Sequence, residues 1–254
     1  MSEPSFLFAH WLVRPQLRET PADIGQRFLD TLDTLSAIDP LFTPWKVLDF
    51  AAMAQVSLAV ARSRIVSIVE DGVVRDDHGQ SERKSGYAAI GVTDNPVASR
   101  IAKLTAHAGS VYPRGMVQLE IGDPLAPTDP SIVKYQLFRQ ALLAMTVRWQ
   151  PSWSYACAFR MYYWKAPIVP GAPLIRYNPF HIPWIAYLSP ALSTGFVVPQ
   201  SDVRIEHAPG GGLLLSATED NFDPANPDHL RRAGALAEIM MARTGDKAVD
   251  DNPP

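Results

Sequence analysis

Apolar positions along this chain change period several times, and each change marks an element. Residues 6–13 form a short apolar run of strand length. Thr20-Pro21-Ala22-Asp23 then predicts a helix start, with Thr20 as N-cap, Pro21 at the first helical position and Asp23 as the acidic half of a capping box. Ile24, Phe28, Leu32 and Leu35 recur at helical spacing and supply its buried face, and Asp39-Pro40 ends it. A second helix is expected over residues 51–69, rich in Ala and Val, although residues 64–69 also fit a strand. Residues 72–84 are polar and charged and read as a loop. Residues 87–93, 102–108 and 116–121 are short strands with turn residues between them, the spacing of an antiparallel sheet.

Pro124, Pro127 and Pro130 precede a third helix over residues 131–148, built on Val133, Leu137, Ala141, Ala144 and Met145 and stopped by Trp149-Gln150-Pro151. Residues 153–163 read as a strand. The five prolines within residues 165–183 argue against regular structure there. A strand over 184–188 and a hairpin through Gly210-Gly211-Gly212 follow. The last helix opens on Asn226-Pro227-Asp228, carries Leu230, Ala233, Ala237, Met240 and Met241 on one face, and stops at Gly245. Residues 246–254 are a polar tail expected to be disordered. The expected fold class is α+β: a mainly antiparallel β-sheet with packed α-helices, in a single domain spanning residues 1–245.

Composition narrows the classes without choosing among them. Of 254 residues, 47% are hydrophobic and 19% charged, with a net charge of −3, which describes an ordinary globular protein. A chain of this length buries enough surface to need no staple, and the single cysteine, Cys157, forms no intrachain disulfide. The apolar start is broken by His10 and stopped by Arg14, and no stretch approaches a membrane span, so a cytoplasmic location is expected. The charge is unevenly spread. Between Asp129 and Asp202 there is no carboxylate, only Lys134, Arg139, Arg148, Arg160, Lys165 and Arg176. Acidic residues gather instead at Glu70, Asp71, Asp76, Asp77 and Glu82 against Arg75, at Glu219, Asp220, Asp223 and Asp228, and in the tail at Asp246, Asp250 and Asp251 against Lys247.

Candidate chemistry is sparse. The six histidines show no metal-ligand spacing, and Asp220-Asn221-Phe222-Asp223 lacks the glycine and distant glutamate of a calcium loop. No Gly-x-Ser-x-Gly is present, and Cys157 lies in an aromatic strand where burial is expected. Glu82-Arg83-Lys84 has the Glu-x-Lys spacing of some nucleases, but a second carboxylate on a neighbouring strand would be needed to hold a metal. No catalytic, metal or cofactor site is predicted. The aromatic and basic stretch from Trp149 to Tyr187 could be core, the anchors of a protein interface, or a stacking platform for single-stranded nucleic acid. An enzyme of hydrolase type, with a site assembled in the fold around Glu219, Asp223 and this stretch, is the alternative to binding.

The chain resembles the immunity protein 52 family of bacterial polymorphic toxin systems. Trp11, Ala37-Ile38-Asp39-Pro40-Leu41-Phe42 with Trp45, and Trp149-Gln150-Pro151-Ser152-Trp153 carry the resemblance. The strand from Trp184, the run from Gly212 to Asp223, and Asn226-Pro227-Asp228-His229 complete it. The resemblance implies an α+β protein without catalysis of its own. It implies a partner: a cognate toxin encoded by an adjacent gene, a nuclease of restriction-endonuclease type, often delivered by type VI secretion. No cofactor, membrane or direct nucleic-acid contact is implied. A nuclease presents positive surface to phosphates, so carboxylates suit its inhibitor. The expected partner-binding residues are therefore Glu70, Asp71, Asp76, Asp77 and Glu82, and Glu219, Asp220 and Asp223. A standard interface of roughly 1,600 Å² exceeds one acidic loop, so aromatic or arginine anchors should join them.

Overall fold

Alternation of more and less buried residues along the central strands builds one sheet with two unequal faces. The computed structural model describes residues 6–15, 17–74, 86–110, 115–122, 129, 131–160, 181–197 and 202–244. In chain order the strands are β1 (Phe6–Val13), β2 (Trp45–Asp49), β3 (Ala54–Ser57), β4 (Tyr87–Thr93), β5 (Ala102–Ala108), β6 (Met116–Ile121), β7 (Trp153–Arg160), β8 (His181–Leu188), β9 (Arg204–His207) and β10 (Leu213–Ser216). The helices are α1 (Pro21–Ile38), α2 (Leu58–Asp71), α3 (Tyr135–Trp149), the single turn α4 (Pro190–Ser193) and α5 (Pro227–Thr244). The sheet order is β3-β2-β4-β5-β6-β1-β7-β8-β10-β9, and every pairing is antiparallel. The fold class is α+β.

Local chemistry accounts for most element ends. At α1 both capping-box bonds form: Asp23 N–H donates to Thr20 Oγ1 at 3.2 Å, and Thr20 N–H to Asp23 Oδ2 at 3.1 Å. Gly210, Gly211 and Gly212 all have positive φ, which lets the β9–β10 hairpin close. At α5, Asn226 Oδ1 caps Asp228 N–H at 2.9 Å.

The structure corrects three expectations. The helix expected from residue 51 starts at Leu58, because residues 54–57 pair with β2 as a strand. Asp49 Oδ1 accepts from Ala51 N–H at 3.1 Å and Ala52 N–H at 3.2 Å, which folds the intervening residues into a turn. Residues 64–69 are helix, not strand. The third helix begins at Tyr135, because Asn221 Oδ1, remote in sequence, accepts its first N–H at 3.2 Å. The proline-rich stretch enters a strand earlier than expected, since His181 and Pro183 belong to β8. Pro183 is tolerated there at a register shift opposite Cys157. Residues 161–180 and the tail from 245 lie outside the described residues.

One face of the sheet is dry across its central strands. Phe8 and Leu12 of β1, Val117 and Leu119 of β6, and Leu104 and Ala106 of β5 are buried on the side where α1, α2 and α3 pack. His10 shares this face. Its ring stacks on Phe138 with centroids 4.9 Å apart, and Nε2 bonds the Phe138 carbonyl at 2.9 Å. Burial holds its pKa down to about 4, against the Phe138 bond, which acts the other way. The unfolded chain therefore takes up this proton first as the pH falls, so stability is full above about pH 6.5 and drains between there and about pH 4. We expect the parent to lose about 2 kcal/mol between pH 7 and 5 from this group. Urea unfolding at both pH values should show a smaller difference for His10→Leu; an unchanged difference would place the acid-labile group elsewhere.

The second face is unevenly covered. Near β8 and β10 it is buried, with Ala186, Leu188 and Leu215 fully covered where α5 packs along β8. Across β4, β5, β6, β1 and β7 the matching residues Ile90, Thr105, Gln118, Trp11 and Tyr155 are only partly buried.

Candidate partner-binding surface

The two acidic clusters expected from the sequence do not meet. Glu70 and Asp71 occupy the last turn of α2, both exposed. The chain leaves that turn at Gly72, which is pressed between strands: a Cβ there would lie 2.3 Å from the Ala88 carbonyl and 2.8 Å from the Phe50 ring. Val73 then bridges to Tyr87 at the start of β4. Glu219, Asp220 and Asp223 follow β10. Six strand spacings separate β4 from β10, about 29 Å. The registers also align the Tyr87 end of β4 with the Leu213 end of β10, whereas Glu219 follows the opposite end. The clusters thus sit at diagonal corners of the sheet. Asp76, Asp77 and Glu82 lie outside the described residues.

The corners also differ electrostatically. Glu219 is ion-paired with Arg204. Asp228 accepts from both Arg231 and Arg232, whose hydrogen bonds hold its carboxyl below the usual range, and Arg231 also pairs with Asp202. Asp220 accepts from Thr218 Oγ1 at 3.2 Å. Asp223 Oδ1 caps Ala225 N–H at 2.8 Å, while its own N–H donates to His229 Nδ1 at 3.0 Å. This corner is a mixed-charge network that anchors a loop. Glu70 and Asp71 have no ion-pair partner among the described residues. They also stand at the C-terminus of a helix with no basic residue in its last turn, where the helix dipole opposes negative charge by about 0.3–1 kcal/mol. A local rule broken without compensation among the described residues is what a binding surface predicts.

The aromatic and basic stretch divides. Trp149 and Trp184 are completely buried and Tyr187 nearly so, which makes them core. Arg139 is ion-paired with Glu206. Trp153 and Tyr155 stack 5.7 Å apart on the half-covered face of the sheet. The side chains of Phe159 and Arg160 and all of residues 161–180 lie outside the described residues.

No group is arranged for catalysis among the described residues. A cleft of about 610 Å³ opens between the α4 segment and the β9–β10 hairpin. Its hydroxyls are spent on local backbone: Ser193 Oγ and Thr194 Oγ1 both donate to the Pro190 carbonyl. Glu206, which also lines it, is committed to Arg139. Burial pushes the Cys157 thiol well up, away from the reactive thiolate. Among the described residues no three His, Cys, Asp or Glu gather as a metal site, and no helix is long and apolar enough to cross a membrane.

Sequence comparison settles the ancestry that this geometry leaves open. The model of the family Immunity protein 52 matches residues 4–245. The chain belongs to the immunity protein 52 family. Membership supports a role in immunity and implies a toxin as partner, and it speaks for binding over catalysis. No curated protein sequence matches. The structure is similar to Pseudomonas aeruginosa T6SS protein PA0821, with a TM-score of 0.50 and 9% identity over 92% of this chain and 76% of that one. At that identity the likeness shows a shared fold. Of the tryptophans that carry the resemblance in sequence, Trp45, Trp149 and Trp184 are core, while Trp11 and Trp153 lie on the half-covered face of the sheet. Two surface features escaped the sequence reading: the exposed Met53 and the half-covered sheet face with Trp11 and Met116. Exposure depends on what packs nearby, which a single sequence does not encode locally.

Proposed function

We propose that this chain neutralises a cognate toxin, encoded by an adjacent gene, through stoichiometric binding in the cytoplasm, and that the toxin is a nuclease of restriction-endonuclease type delivered by type VI secretion. The observation that carries the reading is the pair Glu70 and Asp71, exposed, without ion pairs among the described residues and opposed to their own helix dipole. Asp76, Asp77 and Glu82 follow them in sequence, interleaved with Arg75, Arg83 and Lys84. A phosphate-binding toxin surface would complete this field and speed association. The Glu219, Asp220 and Asp223 corner is the weaker half, since arginines already offset it.

The first experiment is co-expression with the neighbouring gene, scoring survival and co-purification together. Rescue with a stable complex supports immunity; a harmless neighbour, or neither rescue nor complex, removes the reading. Within a complex, Glu70→Lys/Asp71→Lys should slow association at least tenfold at low salt, with the difference shrinking as salt screens it. Asp220→Lys/Asp223→Lys should change the rate less. Equal association rates for parent and both double variants would show that acidic steering is not used.

A further inference from the structure

An open sheet has two edges, and the described residues protect only one of them. The β9 edge reads Arg204-Ile205-Glu206-His207. Arg204 pairs with Glu219 and Glu206 with Arg139, so charge guards the strand against added partners. The β3 edge reads Ala54-Gln55-Val56-Ser57, without a charge or a proline, and Ala54, Gln55 and Ser57 are exposed. Its outer side pairs with no strand among the described residues. Such an edge offers free backbone N–H and C=O groups to an incoming strand.

A second observation falls at the same place. Met53, which leads into β3, has φ of 48° and is 77% exposed. Left-handed backbone normally selects Gly or Asn, yet here it holds a large apolar side chain out in water. Of the seven strongly exposed large apolar residues among those described, three, Met53, Val60 and Val66, lie in the short stretch formed by this turn and α2. The turn also adjoins the acidic corner, because Phe50 packs against Gly72, directly after Glu70 and Asp71. Backbone, apolar knob and negative charge therefore converge on one corner.

We propose that the β3 edge captures an extended, basic segment of the partner toxin by strand addition, with Met53 as its apolar anchor and Glu70 and Asp71 facing its cations. This deepens the immunity reading and rests on it. Main-chain pairing supplies affinity, and Met53, flexible and polarisable, adapts to the incoming side chain. A second copy of this chain fits the edge less well. Two four-residue strands, each about 14 Å long, cover little of the roughly 1,200–2,000 Å² that a stable pair of proteins buries. A second copy also brings the same net negative charge, −3, to an acidic corner.

The test compares binding of the purified adjacent-gene toxin, catalytically inactivated, by the parent and by three variants. Met53→Gly relieves the left-handed backbone, so its melting temperature should hold or rise while its Kd weakens at least tenfold. Gln55→Pro and Val56→Pro are made together as single variants, because neighbouring N–H groups in a strand point to opposite sides. The one that keeps the parent's circular dichroism has lost an outward N–H, and its Kd should also weaken at least tenfold. Parent-like Kd in Met53→Gly and in the folded proline variant would overturn the edge while leaving the immunity reading intact. A parent that does not bind the toxin overturns both. A concentration-dependent dimer of the chain alone, abolished by Met53→Gly, would assign the edge to self-association instead.

Discussion

Replacing Glu19 with alanine is expected to cost the fold about 3–5 kcal/mol, the scale for stripping one partner from a buried charge pair. The partner left behind is Arg14, only 1% exposed at the end of β1. Its Nε donates to the Trp149 carbonyl at 2.7 Å, and its two terminal nitrogens donate to Glu19 at 2.6 and 3.0 Å. Arg27 of α1 pairs with the same carboxylate, and both guanidinium groups lie over the Trp149 ring, at 5.1 and 5.5 Å from its centroid. Trp149 in turn donates Nε1–H to Thr31 Oγ1 at 2.9 Å. The cluster ties β1, α1 and α3 together. Without Glu19, the buried Arg14 is left with the carbonyl and ring of Trp149 among the described residues. The double variant Arg14→Met/Glu19→Leu should recover much of the loss, since apolar replacement of a buried pair is often near neutral. Urea unfolding of the three proteins decides it; a Glu19→Ala loss below about 1 kcal/mol would mean the pair is already solvated. Acid tests the same group. Burial raises the Glu19 pKa, but the hydrogen bond and charge of Arg14, helped by Arg27, outweigh that and hold it low. Its contribution is therefore present above the ordinary carboxylate range and drains as the pH falls through the folded value.

Trp184→Ala should destabilise by a similar amount, about 3–5 kcal/mol, through cavity formation and a lost hydrogen bond. The indole is fully buried where β7 and β8 shift register between Ala156 and Cys157. Its ring lies among Phe138 at 5.2 Å, Phe222 at 5.6 Å and Tyr135 at 6.1 Å between centroids, and Nε1–H donates to the Thr218 carbonyl at 3.0 Å. This one side chain joins β8, α3 and the loop that carries Glu219, Asp220 and Asp223. Its removal should lower the melting temperature sharply and also raise proteolysis within residues 219–226. Trp184→Phe, which keeps the packing and drops the donor, should lose less. Equal losses for the two variants would show that the hydrogen bond, and not the ring volume, dominates.

The sequence reading succeeded where physics acts within one turn or one strand. The Thr20 box, the Asn226 cap and the glycine hairpin each depend on neighbours two to four residues away, and each formed as expected. It failed where a distant group intervened. Residues 51–53 have helical composition, but β2 recruits the next four residues as a strand, and Asp49 turns the chain between. α3 starts at Tyr135 because Asn221 reaches its first N–H. The proposed site shows the same limit. Glu70, Asp71, Glu219, Asp220 and Asp223 are legible as acids, but which of them finds a partner, as Glu219 does in Arg204 and Asp220 in Thr218, is a matter of tertiary placement.

By itself, then, the sequence determined the α+β class, most element ends and the family, because periodicity, capping and residue order are local properties. Only the tertiary structure decided which surface is open. The sheet order β3-β2-β4-β5-β6-β1-β7-β8-β10-β9 arises from long-range strand pairing. That order sends the two acidic clusters to opposite corners, arms one edge with ion pairs, and leaves the other edge uncharged beside Met53.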